Sequence, residues 1–496
     1  MQKKQTILVV ASLLVVVLSV TLAYFTAQII GKGKNVTINS ADLKIIFTDS
    51  DGSISGTNIE PGKWNVTKTF TIENKSNETY KYNIVIQDLV NTFVTNGYLQ
   101  YKITSTNGGY NMTEFKDVPK SETATDKILA YSVSIPVGVT QSYTVEFKYA
   151  NDESVDQSDD MGKKLSGTLF ITEGTEDPNK TLYNQLLADK STVLTRTDFS
   201  KVLTDNNTNT LYTSTEDSKT VYYFAGNATD NWVKFGKNAS NQDLYWRIIR
   251  TNSDGGVRLL YHGTSTTAAD AYIGTSRFNS SSNNIAYVSY MYGSTGSIAN
   301  ARTNQTKSST IKTAIDSWYI SNLEAKGYTK YLSTAAVYCN DRSTSDNTNF
   351  GAYTRLITNK TPSYNCSATE DKFTVDSSTG NGKLKYPIAL MTADEVSFAG
   401  GPYGTTAKTW YYYNSANGSS TGSNYWWLLS PRDLSGSIAA VFGVFGSDLP
   451  GYLGSSSVHN AFGVRPVISL KSCTLYNTGN GSASDPYTIK ETTSGC

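Results

Sequence analysis

The stretches Thr69-Phe70-Thr71-Ile72, Asn74-Lys75-Ser76-Asn77 and Tyr80-Lys81-Tyr82-Asn83-Ile84-Val85-Ile86 read as strand, turn and strand. In the flanking runs, apolar and polar residues tend to alternate. A period of two places every second side chain on the same face of an extended chain, so one face can be buried and the other wetted. Thr and Tyr suit a pleated surface, while Asn and Ser suit the turn between. The pattern repeats outward. Leu43-Lys44-Ile45-Ile46-Phe47 precedes it, and Pro61-Gly62 is a turn that delivers the chain into a strand. Tyr143-Thr144-Val145-Glu146-Phe147 and Gly167-Thr168-Leu169-Phe170-Ile171 follow. Short strands at this spacing predict an antiparallel β-sandwich over residues 31–173.

Upstream, residues 1–30 carry an export signal. Lys3 and Lys4 form a basic start, and an apolar run of about 19 residues, Ile7 to Phe25, holds no charge. The basic end stays cytoplasmic, so the rest is carried outside. Thr21-Leu22-Ala23 ahead of Tyr24 suits a signal peptidase. Cleavage between Ala23 and Tyr24 releases a soluble or wall-associated product. Without cleavage the run is a single membrane-spanning anchor. The small-residue boundary, read with the sandwich behind it, favours cleavage.

Downstream, Glu173-Gly174-Thr175-Glu176-Asp177-Pro178 is a polar linker with both Gly and Pro. Residues 174–220 are expected to hold one short helix, Thr181 to Ala188, and an extended Thr/Asn/Asp-rich spacer. Residues 221–496 read as an α+β domain. The strands Tyr245-Trp246-Arg247-Ile248-Ile249-Arg250 and Val257-Arg258-Leu259-Leu260-Tyr261 flank a hairpin turn, Thr251 to Gly256. One helix is predicted from Ile311 to Ala325. Another begins at the capping box Thr392-Ala393-Asp394-Glu395 and stops at Gly400-Gly401. Val467-Ile468-Ser469-Leu470 reads as a buried strand. The fold class is therefore mainly β / α+β: an export helix, a jelly-roll-like antiparallel sandwich, then an α+β domain.

With 496 residues, 43 basic and 42 acidic, the chain carries a net charge of +1. That balance gives no footprint for nucleic acid. Only 17% of residues are charged and 34 are Tyr, a composition that suits a β-rich surface protein. The four cysteines fall in two pairs and none lies in a CxxC. In an oxidising compartment the simplest pairing is Cys339 with Cys366 and Cys473 with Cys496, one of three possible connectivities. With only His262 and His459 as imidazoles and no metal-like cysteine spacing, no metal and no cofactor is expected.

Two parts of the chain resemble known families. Thr21-Leu22-Ala23-Tyr24-Phe25-Thr26, Ile38-Asn39-Ser40-Ala41-Asp42-Leu43 and the Pro61-Gly62…Phe70-Thr71-Ile72-Glu73-Asn74-Lys75-Ser76-Asn77 pattern resemble the TasA and camelysin fibre proteins. That resemblance implies a jelly-roll-like sandwich, export through a dedicated signal peptidase, and homo-oligomers built by giving an N-terminal strand to a neighbour's sheet. The camelysin protease activity is not implied, since residues 24–173 contain neither His nor Cys. In the second part, Tyr245-Trp246-Arg247-Ile248-Ile249-Arg250, Cys339-Asn340-Asp341-Arg342, Leu390-Met391-Thr392-Ala393-Asp394-Glu395, Trp427-Leu428-Leu429-Ser430-Pro431 and Gly463-Val464-Arg465-Pro466-Val467 occur in order. Together they resemble the uncharacterised DUF6273-type domain of Gram-positive surface proteins. The ending is similar to the C-type-lectin-like fold of formylglycine-generating enzymes, which implies fold and not function.

No catalytic set emerges. Asp394 and Glu395 are adjacent on a helix, point about 100° apart, and read as flanking its N-terminus. Cys339 and Cys366 read as a disulfide in place of a metal-binding pair. Asp49-Ser50-Asp51-Gly52 has the look of a calcium loop but lacks the downstream Glu and reads as a plain turn, and the acidic run Asp152 to Asp160 reads as a solvated loop. Ligand binding is best placed between Trp426 and Arg465. Arg432, Asp433, Phe445, Asp448, Tyr452, His459 and Asn460 offer rings for stacking and polar groups for orientation. Trp246, Trp427, Pro431 and Arg465 read as framework. The expectation is a non-enzymatic cell-surface or secreted binding protein for adhesion or recognition, with an extracellular glycan or protein ligand and a membrane at its N-terminus. The alternatives are a structural biofilm-matrix or fibre subunit and, last, a cryptic surface hydrolase.

Overall fold

The computed structural model describes residues 36–496 except 41–42, 50–52, 57–58, 176, 268–270, 345–347, 415–424 and 447; over 36–58 and at 414 it describes the backbone alone. The export segment, its Ala23–Tyr24 boundary and most of the Asp49-Ser50-Asp51-Gly52 turn lie outside the described residues. Among the described residues no helix is long and apolar enough to cross a membrane. The chain divides into two units, Met1–Pro178 and Asn179–Cys496.

Among the described residues the first unit holds ten strands: β1 (Val36–Ser40), β2 (Leu43–Asp49), β3 (Ser53–Gly56), β4 (Asn65–Asn74), β5 (Tyr80–Asn91), β6 (Leu99–Ser105), β7 (Lys116–Asp117), β8 (Ser121–Ile135), β9 (Thr140–Tyr149) and β10 (Leu165–Glu173). They form two antiparallel sheets, β1-β2-β4-β9-β6-β7 and β3-β10-β5-β8. The alternation in sequence becomes the core. Phe70 and Ile72, Ile84 and Ile86, Tyr101 and Ile103, Tyr143, Val145 and Phe147, and Leu169 and Ile171 all point into one cluster. The turn after β4 is built by Asn74, which is fully buried. Its amide donates to the carbonyls of Glu78 and Ile135, and its oxygen accepts from the Ser76 amide. Gly62 sits at φ 72 and donates its N–H to Tyr149, holding the turn that feeds β4. In the acidic loop, Asp152 and Asp156 take the amides of Ser154 and Ser158. Asp160 departs from the solvated reading: it is buried and accepts from Val94, Thr95 and the Tyr149 hydroxyl.

The second unit starts earlier than composition suggests. The expected spacer across 174–220 is instead folded into it from Asn179 onward. Helix Leu182–Asp189, capped by Thr181, buries Leu182 and Leu186. Strands Thr192–Thr195, Thr210–Glu216 and Lys219–Tyr223 then join the main sheet. The reason is local. Leu211, Tyr212, Val221 and Tyr223 are buried within a mostly polar stretch, enough apolar surface to dock strands whose composition looks like a linker.

That sheet has nine strands, with a mostly antiparallel centre of Lys219–Tyr223, Asp243–Thr251, Val257–Tyr261, Pro466–Leu470 and Ile388–Leu390. The 251–257 hairpin forms as expected, with Gly255 at φ 81 and the Gly256 amide on the Asp254 carboxylate. The helix expected from Ile311 is Thr310–Tyr319, continued by a π turn Ile320–Glu324. Helix Ala393–Phe398 carries the complete Thr392–Glu395 capping box and ends before Gly400, at φ 111. A second sheet of five strands contains Trp426–Ser435, Ile438–Val444 and Leu453–Ser457 as antiparallel neighbours. Both disulfides pair as expected, Cys339–Cys366 and Cys473–Cys496. Each restricts the unfolded chain by roughly 3 kcal/mol. The chain is thus mainly β with an α+β second unit, and its two disulfides belong to the chemistry of an oxidising compartment.

Candidate functional site

The centre of the five-stranded sheet is irregular at one place. Pro431 has no N–H to give the ladder, and the register between Trp426–Ser435 and Ile438–Val444 shifts on both sides of it. The residues Pro431 and Asp433 oppose Val441 and Ala440, so Arg432 is the extra residue of a bulge. Its backbone carbonyl takes the Phe350 amide at 3.0 Å, and the Leu434 amide reaches Thr348 at 2.7 Å. The main chain is therefore held while the Arg432 side chain leaves the sheet.

That side chain meets three groups. One guanidinium nitrogen bonds the Asp433 carboxylate, another reaches the Tyr403 hydroxyl at 3.4 Å, and the guanidinium carbon lies 5.1 Å from the Tyr353 ring centre. Arg432 Nε and Asp433 Oδ1 are both buried and have no hydrogen-bond partner. Burial holds the Asp433 carboxyl above the usual range, against the pull of Arg432. A buried donor and a buried acceptor left unused on one ion pair cost stability until something bonds them.

Partly exposed rings continue from this pair. Tyr403 lies 6.1 Å from Tyr452, Tyr452 lies 5.5 Å from Phe445, and Phe445 stacks on Tyr425 at 4.3 Å and 6°. The Tyr425 hydroxyl points to Asp448 at 3.5 Å. Gly454 makes room for this row: a Cβ there would stand 2.8 Å from the Tyr452 ring and 3.0 Å from that of Phe445. Beneath it Trp427 is fully buried, with its indole N–H on the Ser276 carbonyl, and Phe462 packs 4.6 Å from it.

Of the seven residues read from sequence, five therefore form one strip: Arg432, Asp433, Phe445, Asp448 and Tyr452. His459 and Asn460 lie past the far end of strand Leu453–Ser457, a span of roughly 17 Å from Tyr452. There the exposed His459 contacts the Ser457 hydroxyl at 2.7 Å, and Asn460 contacts Ser456 at 2.8 Å. Among the described residues no carboxylate completes a triad with that Ser–His contact. Sequence reasoning missed Tyr403 and Tyr425. The available signal was an aromatic in Gly401-Pro402-Tyr403-Gly404, a loop motif, and one directly ahead of Trp426-Trp427.

The framework residues are buried, and charge goes in with them. Arg465 donates to the carbonyls of Tyr261 and Tyr412, and Trp246 donates to that of Phe235. His262 is also buried, edge-on to Trp232 at 4.4 Å. Burial, with Arg465 and Arg247 nearby, pushes it far below the usual histidine range. Glu395 accepts from both Arg250 and Arg258 at 3.0 and 2.9 Å, and Arg250 also binds Glu216. Arg355 grips Asp394 with two parallel bonds of 2.9 Å and reaches Asp341 at 2.6 Å. The cleft between these groups and Cys339 has a volume of about 20 Å³, the room of a single water. Among the described residues no three His, Cys, Asp or Glu side chains gather as a metal site.

No family model matches the chain, and no curated protein matches it. One solved structure, a ruminal GH26 endo-β-1,4-mannanase, aligns at 16% identity over 30% of this chain and 35% of that one, with a TM-score of 0.16.

Proposed function

We propose that the protein is a cell-surface or secreted binding protein whose second unit takes an extracellular glycan or protein ligand on the strip from Arg432 to Tyr425. The observation that carries this is the unused pair Arg432 Nε and Asp433 Oδ1 beside a row of partly exposed rings. Rings supply stacking area at little conformational cost, and a fixed donor–acceptor pair orients what stacks on them. A ligand that displaces the cover over these buried atoms and bonds both removes a penalty the free protein carries, so affinity and specificity come from the same place. The test is a glycan array and a bacterial or host-cell binding assay with the full chain. Tyr452→Ala and Asp448→Ala should weaken any signal while the circular dichroism spectrum and melting point stay unchanged. Unchanged binding in both variants would reject the strip.

A structural role in a matrix or fibre has one observation behind it. Among the described residues strand β1 forms an edge of its sheet, hydrogen-bonded to β2 alone, and an edge offers unpaired donors and acceptors to a neighbour. Filaments of purified mature protein under the electron microscope, lost when residues 36–40 are deleted, would favour that role.

A further inference from the structure

The second unit contains a buried pair that binding does not use. Lys190 follows helix Leu182–Asp189, and Asp230 precedes strand Trp232–Lys237. Lys190 Nζ stands 2.6 Å from Asp230 Oδ2, with side-chain exposures of 1% and 6%. The rings of Phe224 and Tyr487 each lie 5.6 Å from that nitrogen. The Tyr487 hydroxyl is given to Asp189 at 2.8 Å. Asp230 Oδ2 also accepts the Asn209 amide, while Oδ1 is buried without a partner.

We propose that Lys190 and Asp230 condense to an intramolecular amide cross-link. Two opposite charges lodged among aromatic rings forgo the hydration each would have in water, and an amide removes both charges at once. The nitrogen and the carboxyl group are already held in contact, so most of the entropy of a two-group reaction is spent by folding. The pair reaches its reactive form by passing one proton from Nζ to Oδ2 along the 2.6 Å hydrogen bond. The free amine then attacks Asp230 Cγ, and the Nζ–Cγ bond forms. A second proton moves from nitrogen to the hydroxyl oxygen, the Cγ–O bond breaks, and one water leaves. No oxidant or cofactor enters the balance. The remaining N–H keeps its acceptor, since Nζ is 3.1 Å from the Asp230 backbone carbonyl. The orphaned Oδ1 becomes the amide oxygen.

The placement gives the link a purpose. The unit's first residues pair with its last: Leu182 N–H bonds the Thr474 carbonyl, Tyr476 N–H bonds that of Lys180, and Tyr487 covers Lys190. A covalent tie at Lys190 fastens the entering chain to the sheet, as the disulfide Cys473–Cys496 fastens its end.

The test is the intact mass of the full chain after reduction and denaturation, with its N-terminus sequenced in the same digest. A mass short by one water, and a branched peptide joining Lys190 to Asp230, supports the link. A full mass, or a water loss mapped elsewhere, overturns it. Lys190→Arg keeps a cation but cannot form the amide. A water loss that persists in this variant points to cyclisation of Asp230 on its own backbone, which also overturns the link. Asp230→Asn should lose one ammonia in place of one water.

Discussion

Two regions of the second unit are made from the same residue types. Under helix Ala393–Phe398, three arginines face four carboxylates, Glu216, Asp341, Asp394 and Glu395. On the five-stranded sheet, Arg432 faces Asp433 among tyrosines. The first region is closed. Glu395 Oε1 takes two guanidinium bonds while Oε2 takes the Thr392 amide, and Glu216 Oε2 takes the Ser253 amide. The second is open, with one donor and one acceptor buried and unused. Charge and aromatic content are therefore common to both regions, and what separates them is that the ion pair of the strip leaves a side-chain donor and an acceptor without partners while the carboxylates under the helix are bonded.

The sharpest way to break this comparison is to remove the anion shared in the closed region. Glu395→Ala strands Arg250 and Arg258 in the interior and should cost about 3–5 kcal/mol, read by chemical denaturation of the second unit. Glu395→Gln keeps the shape and should cost less. A loss under about 1 kcal/mol in the alanine variant would mean the closed region is no more structural than the strip. Next in size is Arg432→Ala. It should weaken ligand binding by about tenfold or more, the worth of one bond to a charged group, and cost less stability than Glu395→Ala, because Asp433, already raised by burial, can take up a proton once its cation is gone. A large loss of stability with binding intact would invert the roles of the two regions.

Acid should separate the regions by sign. Burial raises Glu395, but Arg258, Arg250 and the Thr392 amide outweigh it and bring the group below the usual glutamate range. Glu216 is lowered in the same way by Arg250. A depressed carboxyl contributes stability that is present above its unfolded value and lost as pH falls through its folded one. Both groups therefore weaken the fold only below about pH 4.5. Asp433 is raised above 3.8, so the cost of its buried charge is borne at neutral pH and relieved as pH falls through that raised value. On acidification, protonation of Asp433 relieves the cost of a buried charge, while protonation of Glu395 removes a stabilising one. Carboxyl carbon NMR should place the Asp433 midpoint above 3.8 and the Glu395 midpoint below 4.5. A shift of either group in the opposite direction would contradict the assignment.

The sandwich was the more legible unit, because period-two alternation at Phe70 and Ile72 or Tyr143, Val145 and Phe147 is a purely local signal. The capping box and both disulfide pairings were local as well. The spacer reading of 179–220 failed because Thr and Asn outnumber the few apolar residues that dock those strands. Arg247, Arg250 and Arg258 stood as charges inside apolar strands, which signals burial with a partner, but no local pattern names Glu395 as the partner of two of them. At the strip, Pro431 read only as framework, and its bulge shows once Trp426–Ser435 stands as a strand. That Tyr403 arrives from a distant loop to meet Arg432 is a tertiary fact that no spacing carries.

The smallest expected effect draws the strip's boundary. His459 and Asn460 share the glycine- and serine-rich composition of the Trp426–Arg465 stretch, and composition grouped them with Tyr452. Strand Leu453–Ser457 separates them from it, and their hydrogen-bond partners, Ser457 and Ser456, are their own near neighbours in sequence. An exposed side chain tied to its own turn adds little to folding and touches nothing on the strip. His459→Ala should therefore leave both affinity and melting point within about 0.5 kcal/mol of the parent. Loss of binding in that variant would carry the site around the end of the strand, and would make the Ser457–His459 contact part of the ligand's path instead of a turn.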